Sequence, residues 1–202
     1  MKKGFSLVEM LVVIGIIAVL IGASIGGFSK MTKSAERAKA RELVSNVATA
    51  LSVMYQEEGC WPARLRKNGG CGQLDETAAY ALVAKKKYMS LTVENEQLAG
   101  LDRFGIVTPW AATVIRRKGH AASAMDLVSG GATVRDHILW YAVDLDGDGI
   151  TNVNSDDGGS VKVRATACVW CCDKDGKVGS VNKVGRNSGG IFSYSADQIV
   201  NQ

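Results

Sequence analysis

The chain has 202 residues, a formal net charge of +4 and five cysteines. That length holds one long helix plus a compact domain of about 140 residues. The small positive balance is split among Arg64-Leu65-Arg66-Lys67, Lys85-Lys86-Lys87 and Arg116-Arg117-Lys118; such short clusters read as solvated faces and exclude a nucleic-acid groove. With 23 glycines and 2 prolines, the composition suits a loop-rich α+β domain rather than a disordered chain.

From Phe5 to Phe28 the sequence is apolar with one charge, Glu9. About 20 such residues make a membrane-spanning helix. A secretory signal has a shorter apolar core and a small-residue cleavage site after it; here the core is too long, and Ser29 to Arg37 read as continuing helix. Lys2 and Lys3 hold the N-terminus in the cytoplasm by the positive-inside bias, although Lys30 and Lys33 lie beyond the span. A carboxylate inside an apolar span is costly and marks a functional position. The other reading of Glu9 places it near the membrane interface, tolerated by tilt and local water.

Gly4-Phe5-Ser6-Leu7-Val8-Glu9 resembles the processing motif of type IV prepilins and of type II secretion pseudopilins. The resemblance implies that prepilin peptidase cuts between Gly4 and Phe5, and that Phe5 is then N-methylated. It implies that Glu9 neutralises the amino terminus of a neighbouring subunit during assembly. Both charges resist leaving water alone, so their pairing works as a register check. Gly22-x-x-x-Gly26 resembles a close-approach helix pattern. The family often carries a proline near this point; Gly26-Gly27 stand there instead, which predicts local softening rather than a kink.

From Thr32 to Glu58, Leu43, Val47, Ala50, Leu51 and Met54 recur at helical spacing and need a sheet to cover them. Gly59 and Pro62 stop the helix. Tyr55, Gly59, Trp61 and Pro62 resemble the end of this helix in major pseudopilins. Asp75 caps a short helix through Ala78–Ala84. Leu101 to Gly105 resembles the family's Asp-x-aromatic-Gly turn, usually followed by a strand, and 113–134 reads as an insertion. Strands are expected at His137–Val143, Val161–Trp170 and Ile191–Tyr194. Val169 to Lys177 resembles the strand and Asp-Gly turn near the end of pseudopilins.

Asp144, Asp146 and Asp148 alternate with Gly147 and Gly149 as oxygen ligands do in calcium loops, with Asn152 and Asp156 as further ligands of Ca²⁺. Ser155 stands where a bidentate glutamate is usual, and the plain alternative is a solvated Asp/Gly turn. Major pseudopilins carry Ca²⁺ in their C-terminal loop region, a place to which Asp173 and Asp175 lie nearer. In an exported domain, Cys60 and Cys71 bracket a turn-like stretch and are expected to pair. Cys168, Cys171 and Cys172 leave one thiol over or stay buried and unpaired; zinc on Cys60, Cys71, Cys168 and Cys171 is the alternative. His120 and His137 have no catalytic or metal-binding spacing.

The fold expected is α+β and type IV pilin-like: a long N-terminal helix packed on a C-terminal antiparallel sheet. Residues 1–4 form a leader, 5–28 a transmembrane and assembly helix, 29–58 its exported half and 59–202 a periplasmic globular domain. The resemblance implies a structural subunit, not an enzyme, single-pass in the bacterial inner membrane. It would polymerise with itself and minor pseudopilins on an inner-membrane assembly platform. The tyrosine-glycine-tryptophan-proline run leans toward a pseudopilin over a type IV pilus subunit; a membrane-anchored calcium-binding protein is the remaining alternative.

Overall fold

The computed structural model describes residues 6–83, 88, 104–154, 159–179, 181, 184 and 189–200, with 23–30 as backbone only. Gly4, Phe5, Asp156, the 85–87 lysine run and residues 101–103 of the expected turn lie outside this set. The elements in chain order are α1 (Leu7–Glu58), β1 (Cys71–Gln73), α2 (Glu76–Val83), α3 (Pro109–Lys118), β2 (Leu127–Ser129), β3 (Ala132–Thr133), β4 (Trp140–Val143), β5 (Ile150–Asn154), β6 (Ser160–Arg164), β7 (Ala167–Cys171) and β8 (Ile191–Phe192).

The chain divides into two compact units, Met1–Ala38 and Lys39–Gln202. In the first, α1 is apolar and exposed around its circumference at Leu7, Val8, Leu11, Ile14, Ile17 and Val19. It passes Gly22, Gly26 and Gly27 without a break. In the second unit the helix is amphipathic. Ala40, Leu43, Val44, Val47, Leu51 and Met54 are buried in one core with Leu139, Tyr141, Val143, Val169, Cys171 and Ile191. Burying a side chain the size of Leu51 or Met54 contributes about 2 kcal/mol. Gly59 ends α1 in the left-handed region (φ 67°), its N–H reaching Tyr55 O at 2.9 Å. A glycine there satisfies an orphan helix carbonyl without a Cβ penalty.

The main sheet is antiparallel in the order β1-β4-β7-β8. Tyr141 lies opposite Val169, and Cys71, Ala142 and Cys168 form the adjacent row. Tyr141, Val143 and Val169 share the α1 core. Ala142, Cys168 and Trp170 face the opposite way, where Val153, Val161, Val163, Val181 and Tyr194 cover them. Because the β5–β6 hairpin supplies that cover, all five residues of β7 are buried.

The single strand expected over Val161–Trp170 is two. β6 belongs to the hairpin and β7 to the main sheet, with a bend at Ala165-Thr166 where Ala165 N–H reaches Val163 O at 2.9 Å. The bend resets the inward phase, from Val161 and Val163 before it to Cys168 and Trp170 after it. His137–Val143 starts late as a strand because Arg135–His137 form a 3-10 turn, and only Trp140–Val143 pair fully. Ile191–Tyr194 likewise shortens to β8.

Asp75 caps α2 as expected, its Oδ1 accepting Ala78 N–H at 2.9 Å. Gly105 takes φ 80°, and a Cβ there would lie 2.0 Å from Leu74 O. The turn is followed not by a strand but by the single bridge Val107–Ile138 and then α3. The 113–134 stretch is not a loose insertion: α3 and the β2–β3 hairpin enclose their own core of Phe104, Val107, Ala111, Val114, Ile115 and Val134. Pro109 opens α3, Gly119 closes it, and Arg116, Arg117 and Lys118 occupy its last turn, where cations complement the helix dipole.

His137 ties this small core to the main sheet. Fully buried, its Nδ1 lies 2.9 Å from Thr108 Oγ1 and 3.1 Å from Cys172 Sγ, and Trp110 packs 6.2 Å from its ring. The Cys172 thiol also reaches Asp136 O at 3.3 Å, leaving Thr108 O–H as donor to Nδ1 and the neutral ring's one proton on Nε2. Burial holds the His137 pKa below its ordinary value, against the pull of Asp136, Asp173, the Lys174 carbonyl and Asp175. A folded-state pKa below the unfolded value, ~6.5, means the unfolded chain binds the proton first, so stability is complete above that value and is lost as pH falls through the folded pKa. Thermal melts between pH 7.5 and 5 are therefore expected to show a falling midpoint in the parent chain and a flatter profile in His137→Asn. Parallel profiles would assign the slope elsewhere.

Candidate functional site

Two regions carry the chemistry. The first is the opening turn of α1, where Ser6 precedes the helix and Met10 N–H reaches Ser6 O at 3.3 Å. Ser6 N–H donates to Glu9 Oε2 at 2.9 Å, and Val8 N–H donates to Ser6 Oγ at 3.4 Å. Glu9 thus bonds back onto its own helix terminus, a partner the sequence reading overlooked although Ser-x-x-Glu is the signal for it. A Cβ at Gly15 or Gly22 would meet nothing within 4 Å, so both leave open space on the helix surface. Among the described residues, no helix is long and apolar enough to cross a membrane; described side chains of the apolar run end at Gly22.

The second region is the turn between β4 and β5. One carboxylate oxygen each from Asp144, Asp146 and Asp148 lies within 4.8 Å of the others. Asp144 is 3% exposed, and its two oxygens accept Gly147 and Gly149 N–H, both at 2.8 Å. Burial alone would raise its pKa, but the Gly149 and Gly147 amides, helped by Asp146, hold it below the ordinary carboxylate value. Asp148 accepts Ile150 N–H at 2.7 Å. Asn152 stands outside the turn, exposed in β5 opposite Lys162. The turn rests on the end of α1: Trp61 Nε1–H donates to Asp144 O, and Tyr55 stacks on Trp61 at 4.8 Å. The tyrosine-glycine-tryptophan-proline run is therefore both a helix stop and the floor of the acidic turn.

No disulfide joins any of the five cysteines. Cys60 is exposed just past α1, whereas Cys71 shares the row of Ala142 and Cys168, its Sγ 3.9 Å from Asn154 O. Cys168 and Cys171 point to opposite faces of the sheet, so β7 cannot present both to one zinc ion. Burial pushes the Cys168 and Cys172 thiols up to about 12, which keeps them protonated and unreactive. Near the C-terminus, Asp173 closes the expected Asp-Gly turn by accepting Asp175 N–H at 3.0 Å and Lys177 N–H at 2.9 Å. The Thr108–His137–Cys172 contact had no sequence signal, since its members come from three separated elements.

Residues 1–25 match the family model described as the prokaryotic N-terminal methylation motif. The chain is also similar to the fimbrial protein EcpC of Eikenella corrodens, 31% identical over 62 residues, which cover 31% of this chain and 40% of that protein. No solved structure matches it. Such a motif implies a prepilin peptidase substrate that polymerises into filaments. Set before a long helix whose second half packs on an antiparallel sheet, it makes this chain type IV pilin-like.

Proposed function

We propose that the chain is a structural subunit of a periplasmic pseudopilus of the type II secretion kind. In this reading residues 1–4 are a leader, 5–28 span the inner membrane with the N-terminus cytoplasmic, 29–58 continue the helix outside, and 59–202 form the periplasmic domain. The observation that carries it is Glu9, one carboxylate in an apolar helix surface that begins at the methylation motif. An all-round apolar helix needs lipid or other helices as its solvent. A filament subunit uses both in turn, lipid before assembly and neighbouring copies after it. The helix end at Tyr55, Gly59 and Trp61 supports the pseudopilin form; minor pseudopilins and an inner-membrane platform would be its partners. A type IV pilus subunit is the second reading, favoured by the name of the fimbrial relative. Subunit function requires no catalytic group.

Intact mass of the membrane-extracted protein, with and without prepilin peptidase, is expected to show loss of Met1–Gly4 and gain of one methyl on Phe5. An uncut Met1 terminus in the presence of the peptidase removes the reading.

For Glu9→Val, insertion and cutting should remain normal while incorporation into filaments falls by about tenfold or more, because an uncompensated buried charge costs about 3–5 kcal/mol. Normal filament yield would leave the carboxylate without an assembly role.

The acidic turn is proposed to bind Ca²⁺ through Asp144, Asp146 and Asp148, with Asp156 as a further oxygen ligand; the mutual approach of the first three carboxylates supports this. A thermal midpoint raised by Ca²⁺ and lowered by chelator is expected, the difference vanishing in Asp146→Asn/Asp148→Asn. Superimposable melts with Ca²⁺ and chelator would rule it out.

A further inference from the structure

The bond between Ser6 and Glu9 changes what the free subunit looks like. The first amides of a helix have no partner within it. In hydrocarbon, where water cannot serve them, each is costly. Here Glu9 Oε2 takes Ser6 N–H and Ser6 Oγ takes Val8 N–H, while Ser6 O accepts the first helical bond from Met10. The carboxylate also sits at the positive end of the helix dipole. It is therefore held within its own chain, with no second copy present.

We infer that the bond from Ser6 N–H to Glu9 at the helix start is the holding state of the carboxylate in the unassembled subunit, with Ser6 as its positioning residue. Filament assembly is then an exchange of partners for Glu9 rather than the rescue of a bare charge, a consequence that rests on the subunit reading above. The exchange is local. Cutting before Phe5 would create an ammonium one residue ahead of the amide that already binds Glu9, so both charges belong to the same end of the same chain. The neighbour's terminus must outcompete an existing bond, so a partner that arrives out of register leaves Glu9 on Ser6 N–H and gains nothing from it.

Glutamine also serves at the third helical position of a capping box, so Glu9→Gln keeps the acceptor and loses the charge, whereas Glu9→Val loses both. Residue-resolved amide exchange on the full-length chain, monomeric in detergent micelles, separates them. Ser6 N–H should exchange about fivefold more slowly in the parent chain and Glu9→Gln than in Glu9→Val. Val8 N–H should speed up in Ser6→Ala and recover in Ser6→Thr, with Leu51 N–H unchanged throughout as a measure of folding. Equal Ser6 rates in the parent, Glu9→Gln and Glu9→Val would overturn the holding state, and an unchanged Val8 rate in Ser6→Ala would overturn the role of Ser6. Filament yield of Glu9→Gln reports separately on the ion pair: parental yield would remove the charge requirement and leave the exchange result standing.

Discussion

Burial of one helical stripe organises the globular unit. Leu43, Val47, Leu51 and Met54 present an apolar surface that no short element could cover, and the sheet meets it with Tyr141, Val143 and Val169. Once one face of β4 and β7 is committed to the helix, the opposite face carries Ala142, Cys168 and Trp170 and needs a second cover. The β5–β6 hairpin is that cover, and the acidic turn is the link that carries the chain from β4 into it. The turn must reverse direction in few residues, which is why Gly147 and Gly149 take positive φ and Asp144 folds its carboxylate back onto their amides.

The parts of the fold legible in the sequence were those governed by one local rule. The α1 stripe is a matter of helical period, the stop at Gly59 of left-handed backbone, and the Asp75 cap of an oxygen placed three residues before an amide. Where two neighbouring rules share a pattern, the reading failed. Alternation runs from Val161 to Ala167 without interruption, yet the chain changes sheets at Ala165-Thr166, and only the tertiary pairing decides that. The helix at Pro109–Lys118 was legible in principle, with a threonine before Pro109, three basic residues in the last turn and Gly119 beyond. Thr108 makes no side-chain cap bond because its hydroxyl serves His137 instead.

The candidate sites divide in the same way. Glu9 stood out because a single carboxylate in an apolar run is costly, and the matched methylation motif covers that stretch. Its intramolecular bond was written in the Ser-x-x-Glu spacing but hidden by the stronger functional reading. The three aspartates lie together at the turn, while Asn152 follows in β5, where it pairs with Lys162. Cysteine spacing was a poor guide. Cys60 and Cys71 are close in sequence, but one follows a helix end and the other enters the sheet edge with its thiol toward Asn154.

α1 therefore answers two solvents with one backbone. In the globular unit its side chains do the discriminating work, burying one stripe and leaving the other face wet. Between Leu7 and Gly22 its side chains other than Glu9 are apolar on every side, so the polar groups of that stretch are those of the first turn. A helix of that kind can slide or rotate against like neighbours at small cost, because one aliphatic contact replaces another. A carboxylate bound to an amide of its own helix keeps that bond in every register, and under the proposed exchange only a correctly placed neighbour would draw it away. In the proposed subunit role, the apolar surface would supply adhesion and the opening turn the choice among adhesions.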